Sequence, residues 1–237
     1  TFNTSKSKLL HFGSTSVVPY NMVNSKDHEI EMKNVSEEKD LGVIIDSKLK
    51  FSNHIASQVK KANRLMGLIR RSYSFLDINS FKHLFNSFLR PHLEYCISIW
   101  YPFLKKDEIL IENVLRRATK LIPTLTNLCY ADRLKKLEIP SMKYRQIRGD
   151  MIMVYKILNG HDQSLSHLFE VECNAITRGH NFKLKKTRFT KTIRQHFFSN
   201  RVINNWNSLS EDIVNAPSVD SFKNKLDKYW KYKMFVF

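Results

Sequence analysis

Cysteine, glycine and proline are scarce in this chain, with 3, 6 and 6 residues of each among 237. The three cysteines, Cys96, Cys129 and Cys173, are scattered and odd in number, which argues against a disulfide framework and favours a reducing, intracellular compartment. No apolar run approaches the roughly 18 residues of a membrane-spanning helix, and no signal-peptide pattern occurs. We therefore expect no membrane partner. With 42% hydrophobic residues, the chain has enough apolar side chains for a packed core.

Acidic residues are also few: the chain has 22 Asp and Glu but 39 Lys and Arg. The net charge of +17 and the pI of about 9.8 predict attraction to polyanions, of which nucleic acid is a common one. Two stretches, Ser47–Leu76 and Cys173–Ser210, contain no acid at all. Two interpretations of their cations stay open: an ordinary solvated face, or a surface that binds phosphates.

The motifs of common enzyme sites are missing. The chain has no G-x-S-x-G, no H-E-x-x-H, no G-K-[ST] phosphate loop and no C-x-x-C pair. His92 and Cys96 stand four residues apart, a spacing that zinc can use, but no second pair accompanies them. We interpret both as core residues, and the sequence provides no enzymatic signature of its own.

The hydrophobic patterns predict an α+β fold that is predominantly helical. Short runs at Lys8–Gly13, Glu29–Met32 and Leu41–Asp46 indicate strands, and a three-stranded antiparallel meander is the simplest arrangement. After Phe51 the period changes from two to 3.6. We expect three regions: the meander over 1–51, a helical bundle over 52–160, and a mixed basic region over 161–237.

The first helix carries the clearest division of charge. On the wheel of an α-helix, a stripe runs through Ile55, Val59, Ala62, Met66 and Ile69. The opposite side carries cations. These are Lys60, Arg64 and Arg71.

Later helices are marked by apolar stripes and by their end signals. Ser141 is a candidate N-cap, Asn159-Gly160 a candidate C-terminal stop, and a final helix is expected from about Ser218. Pro91 is expected to interrupt one helix. The stripes are Phe81, Leu84, Phe85, Phe88 and Leu89; Leu110, Ile111, Val114, Leu115, Ala118 and Leu121; Tyr144, Ile147, Met151, Val154 and Leu158; and Phe222, Leu226 and Tyr229.

The basic surfaces supply the candidate binding residues. Lys and Arg neutralise phosphates by displacing counterions, largely without regard to base sequence. Aromatic residues interleave with the second basic stretch after Phe182-Lys183-Leu184-Lys185, which is expected to be extended. We interpret Phe182, Phe189, Phe197 and Phe198 as core rather than as base-stacking residues. The candidate nucleic-acid-binding residues are Lys60, Arg64, Arg71, Arg116, Arg117, Lys183, Lys185, Lys186 and Arg188.

Several strings, taken in order along nearly the whole chain, resemble one family. They look like the C-terminal half of reverse transcriptases from jockey-like non-LTR (LINE-type) retrotransposons. The strings are Glu38–Val43, Asp46–Phe51, His54-Ile55, Lys60–Asn63, Arg90–Cys96, Arg116–Pro123, Arg133–Leu137, Arg148–Ile152, Tyr155–Gly160, Phe198–Val202, Trp206–Leu209, Ala216–Val219 and Phe222-Lys223.

The resemblance implies the end of a palm over 1–51, a thumb-like helical region over 52–160, and a C-terminal extension. In that family the catalytic Tyr-x-Asp-Asp comes shortly before a strand like Phe2–Lys8, so we expect a fragment that begins at Thr1 after the catalytic turn. The chain has no Asp-Asp pair, and Tyr130-Ala131-Asp132 is followed by Arg133 instead of a second aspartate. No catalytic residue carries over.

The partners implied by the resemblance are RNA and DNA as a template-primer duplex, together with the missing upstream palm and fingers. We expect no cofactor in this fragment, although the parent enzyme would use Mg²⁺, and no polymerase activity in isolation. Two alternatives stay open: a non-enzymatic nucleic-acid-binding protein derived from a retroelement, or a decayed copy without function.

Overall fold

A computed structural model describes residues 7–13, 18–23, 28–172 and 180–235. Cys173 and Arg178, which belong to the second acid-free stretch, lie outside the described residues. The described chain is predominantly helical, with short strands at its N-terminal end, so the expected α+β fold class is confirmed.

Six short strands precede the first helix. All three predicted strands are present in shortened form, and three further strands lie in the stretches between them, where the sequence analysis predicted none. The strands are β1 (Lys8–Leu10), β2 (Asn21–Val23), β3 (Glu29–Glu31), β4 (Lys33–Val35), β5 (Glu37–Asp40) and β6 (Val43–Asp46).

The strands do not form one continuous meander. They make three separate pairs: β2 with β3 and β5 with β6 are antiparallel, whereas β1 pairs with β4 in parallel. The single meander was therefore wrong in its connections. The missed strands are only three or four residues long, too short to show a period-two pattern.

The β5–β6 hairpin positions the strand that packs under the first helix. Asp40 pairs with Val43, so Leu41 and Gly42 form a two-residue loop, and both have positive φ, 44° and 89°. This backbone is that of a type I′ turn, in which Gly is favoured and Leu is not. The Tyr95 hydroxyl donates a hydrogen bond of 3.0 Å to the Leu41 carbonyl and holds the turn.

Twelve α-helices follow within the described residues. They are α1 (Ser52–Ser72), α2 (Ile78–Leu84), α3 (Arg90–Glu94), α4 (Ile97–Trp100), α5 (Lys105–Ala118), α6 (Tyr130–Leu137), α7 (Met142–Leu158), α8 (Thr192–His196), α9 (Phe198–Arg201), α10 (Ile203–Asn207), α11 (Glu211–Val214) and α12 (Val219–Tyr229).

Pro91 does not interrupt the helix where it stands. Between α2 and α3 the chain runs through a π-helical turn over Phe85–Leu89, and Pro91 lies in the first turn of α3, where a missing N–H costs little. The break comes later, at Cys96, whose φ is 53°. His92 and Cys96 therefore do not share one helical face, and the zinc-like spacing is lost.

The helix end signals are confirmed. The side chains of Ser141 and Ser218 accept hydrogen bonds from the backbone N–H groups of Tyr144 and Ser221 at the starts of α7 and α12. Gly160 has a φ of 74° just beyond α7.

Most of the predicted apolar stripes are buried, with a few exceptions. Because the π-helical turn shifts the helical phase, one aromatic of the second stripe points to solvent. The other exceptions lie at stripe edges or near helix ends. The exposed members are Phe88, Leu110 and Tyr229. Of the four aromatics expected in the core of the second basic stretch, only Phe198 is buried: Phe182 and Phe197 are exposed, and Phe189 is half-exposed and belongs to neither hydrophobic cluster.

The buried side chains form two hydrophobic clusters. The first runs from Val43 in β6 to Met142, and the second from Tyr144 to Trp230, so the two meet inside α7. The helix α7 packs against both α5 and α12. The expected boundaries after residues 51 and 160 remain predictions, but the clusters show that α7 joins both halves.

Candidate nucleic-acid interface

The helix α1 separates an apolar face from a cationic face. Ile55, Val59, Ala62 and Ile69 are buried, and Met66 packs against the same core, so the predicted stripe is confirmed. On the opposite side, the predicted cations are exposed to solvent. They are Lys60, Arg64 and Arg71.

The start of α1 is fixed by one carboxylate. The side chain of Asp46 accepts hydrogen bonds from the backbone N–H groups of Lys48, Lys50 and Phe51, at 3.0, 3.2 and 2.6 Å. These bonds order the turn between β6 and α1. The last turn of α1 contains Arg70 and Arg71, whose charge suits the negative end of the helix dipole.

The cations of the first acid-free stretch lack acidic partners. Twelve ion pairs occur among the described residues, and none involves a Lys or Arg between Ser47 and Leu76. The stretch contains seven cations, and all of them are exposed: Lys48, Lys50, Lys60, Lys61, Arg64, Arg70 and Arg71. A solvated helical face normally mixes signs. This face is positive without compensation, so its field favours an anionic partner.

A groove of about 660 Å³ lies between the C-terminal half of α1 and the end of α5. Arg70 lines it from α1, while Arg117 and Lys120 line it from α5 and the turn that follows. Arg117 Nη2 donates a hydrogen bond of 3.0 Å to Asn63 Oδ1 across the helix contact. Tyr73, 46% exposed, also lines the groove.

The sequence analysis predicted Arg117 as a nucleic-acid-binding residue, but it did not include Arg70 or Lys120 among the candidates. Arg70 lies at the flank of the α1 wheel, between the buried stripe and the cationic face. A usable signal was the run of cations at the C-terminal end of the Leu110–Leu121 stripe, which places Arg117 in the last turn of α5 and Lys120 in the turn that follows. Their convergence with Arg70 depends on how α1 and α5 pack.

Arg116 points away from this groove. Its guanidinium lies 4.8 Å from the centre of the Tyr130 ring, at the start of α6. The Tyr130 hydroxyl donates to Glu112 Oε1 at 2.5 Å, and burial followed by the Glu112 charge raises the Tyr130 pKa. Tyr130-Ala131-Asp132 thus forms the first turn of α6, and the Tyr130 side chain is engaged by Glu112 and Arg116.

The second basic segment belongs to the other core. Asn207 brackets Leu184 with two hydrogen bonds of 2.9 Å, one from the Leu184 N–H and one to its carbonyl. Leu184 also forms a β-bridge with Val171, so the expected extended segment is present around Leu184, whereas Phe182 lies in a turn. Of its cations, Lys185 pairs with Glu170 at 3.1 Å and Lys186 contacts Asn204 at 3.4 Å. Lys183 is half-buried and Arg188 is exposed.

Neither a metal centre nor a membrane span is evident in the described part of the chain. No three His, Cys, Asp or Glu side chains there come close enough to share a metal ion. Within residues 7–13, 18–23, 28–172 and 180–235, every helix is too short or too polar to cross a bilayer.

Comparisons with known proteins add one relative. An uncharacterized protein of Caenorhabditis elegans is 25% identical over 124 residues, which cover 51% of this chain and 63% of that protein. The chain thus spans less than two thirds of the length of this relative. No family model matches the sequence, and no solved structure matches the fold.

Proposed function

We propose that this chain binds the phosphate backbone of nucleic acid through α1 and the neighbouring groove. The observation that carries the proposal is the placement of Lys60, Arg64 and Arg71. They lie exposed on one face, opposite the apolar stripe that packs into the core, and none forms an ion pair with a described residue.

The length of this face suits a duplex. Lys60 and Arg71 are separated by about 16 Å along the helix axis, from the rise of about 1.5 Å per residue. The major groove of B-DNA is about 12 Å wide. A helix of this reach can contact phosphates on both sides of a groove, and the cations at the α5 end extend the same positive surface.

The wider role follows from the family resemblance. We propose the C-terminal part of a retrotransposon RNA-directed DNA polymerase, in which α1 and the following helices hold the template-primer duplex. The palm and fingers would come from the upstream part of the same polyprotein, and they would supply the aspartates and the Mg²⁺ of the reaction. The unpaired cations equally support a non-enzymatic nucleic-acid-binding protein derived from such an element.

A salt titration tests the binding proposal. Affinity for a duplex should fall with salt, with a slope of log K against log salt near −0.9 for each phosphate contact. Changing Lys60, Arg64 and Arg71 together to Ala should reduce the magnitude of the slope by roughly two to three. Base sequence should matter little, because phosphate contacts position a protein without specifying the bases.

A matched control separates local contacts from net charge. Changing Lys106, Lys136 and Lys156 to Ala also removes three exposed charges, but from α5, α6 and α7. We expect this variant to keep the original slope. Equal slopes for both triple variants, with circular dichroism showing that both fold, would mean that the α1 face is merely solvated.

A further inference from the structure

A second cavity, distinct from the α1–α5 groove, lies where the two halves of the molecule meet. Its volume is about 390 Å³, within the range of roughly 300–1,000 Å³ that is typical of small-ligand sites. Its walls come from the segment before α5, from α7, and from the chain between the second basic segment and α10. The cavity opens to solvent beside the exposed cations of that segment.

Aromatic rings form part of the wall. Tyr101 is covered by the Arg201 guanidinium, 4.4 Å from its ring centre, and Phe103 stacks with His196 at 5.2 Å. Phe189 is half-exposed, and it makes no ring or cation contact with any described residue. Phe189 is therefore the ring in this cavity that a flat ligand can stack on.

The charged side chains that line the cavity have a net positive charge. Asp150 is paired with Arg201 through two hydrogen bonds of 2.9 Å, and Glu108 is paired with Lys143. The three cations Lys143, Lys186 and Arg201 against these two carboxylates give 3 − 2 = +1. The ammonium of Lys186 contacts only Asn204 Oδ1, at 3.4 Å, in the described structure. The excess charge thus lies on Lys186, suited to a single anionic group.

Amide side chains provide the remaining polar atoms. Asn200 is buried, and both of its amide atoms are in use: Oδ1 accepts from Thr187 and Nδ2 donates to the Arg194 carbonyl. Asn205 and Gln195 also line the cavity, and their side chains bond no described residue. An amide offers a donor and an acceptor side by side, which is the pattern on the edge of a nucleobase.

We propose that this cavity holds one unstacked nucleotide of a single strand. The base would stack on Phe189, its edge would meet Asn205 or Gln195, and a phosphate would contact Lys186. An acidic peptide fits less well, because several carboxylates would need several available cations. Arg201 and Lys143 already have carboxylate partners, and only Lys186 does not. This inference deepens the proposed function: besides a duplex surface on α1, the chain has a separate site for single-stranded nucleic acid.

Photocrosslinking with a short single-stranded oligonucleotide that carries 5-iodouracil tests the contact directly. We expect the crosslinked peptide, identified by mass spectrometry, to contain Phe189. The variant Phe189→Leu keeps an apolar side chain but removes the ring, and it should weaken single-strand binding by about tenfold, as stacking of one base does elsewhere. Phe182→Leu is the matched control, an exposed ring on the same segment but outside the cavity.

A second variant tests the same site in case Phe189→Leu fails to fold. Asn205→Asp keeps the size of the side chain and places a negative charge beside the proposed nucleotide. It should weaken single-strand binding and leave duplex binding unchanged. Equal single-strand affinities for Phe189→Leu, Asn205→Asp and Phe182→Leu would overturn the cavity proposal while duplex binding by α1 stands. A chain that binds neither form of nucleic acid would overturn the proposed function as well.

Discussion

The guanidinium of Arg201 donates two hydrogen bonds to the carboxylate of Asp150, from Nε to Oδ2 and from Nη2 to Oδ1, each 2.9 Å. Both side chains are nearly buried, with 8% and 4% of their surface exposed. Arg201 also donates to the backbone carbonyls of Ser98 and His196. One guanidinium in α9 thereby links α4 of the first core to α7.

Asp150→Asn should destabilise the protein strongly, because it leaves the buried Arg201 charge without a counterion. Removing one partner of a buried ion pair costs about 3–5 kcal/mol. Urea denaturation gives the free energy of unfolding of both proteins. Glu172→Gln removes the same charge from an exposed site and should leave that free energy almost unchanged. A similar, small effect for both variants would show that the Asp150 pair contributes little.

His54 should make stability depend on pH. Its Nδ1 accepts a hydrogen bond of 3.2 Å from the Ile44 N–H, so only the neutral ring fits. Burial, with the nearby Lys61 charge, lowers its pKa to about 4, whereas the unfolded chain has the ordinary value near 6.5. The unfolded state therefore binds more protons between these values. The free energy of unfolding should fall as the pH drops from about 6.5 to about 4.

His54→Asn isolates this contribution, since the amide oxygen can replace Nδ1 as the acceptor and does not titrate. The difference in stability between the natural protein and the variant should change by about 1–3 kcal/mol across that window and stay constant above it. Denaturation at a series of pH values measures it. A difference that is independent of pH would contradict the role of His54.

The neighbours Arg116 and Arg117 should behave differently. Arg117 lines the α1–α5 groove, so Arg117→Ala should reduce the magnitude of the salt slope for duplex binding by about 0.9, one phosphate contact. Arg116 lies over the Tyr130 ring, so Arg116→Ala should leave the slope unchanged and lower stability by about 0.5–1 kcal/mol. The reverse pattern would place the nucleic acid on the α6 side of α5.

Leu41→Asn should stabilise the protein. Leu41 has a φ of 44° in the β5–β6 turn and is 84% exposed, so its side chain loses little packing when replaced. Asn-Gly is the favoured pair in a type I′ turn, and we expect a gain on the order of 0.5–1 kcal/mol in thermal or urea denaturation. Leu41→Val, a β-branched residue at the same φ, should destabilise instead. If both variants behave alike, the turn conformation does not limit stability.

The sequence alone determined the local elements and their faces. The stripe from Ile55 to Ile69 predicted which side of α1 is buried, because the 3.6-residue period of its apolar side chains is visible in the local sequence. The caps at Ser141 and Ser218 were likewise readable, since each bonds a backbone group three residues away. The exposure of Lys60, Arg64 and Arg71 follows from the same local rule.

Which charged side chains form ion pairs and hydrogen bonds depends on the tertiary structure. Arg201 counted among the cations of an acid-free stretch, yet its carboxylate partner is Asp150, 51 residues away. Arg117 meets Asn63 across 54 residues, and that contact forms the groove with Arg70. Periodicity specifies the direction of a side chain from its own helix axis. The partner depends on how distant helices pack, and that is set by shape and burial over the whole core.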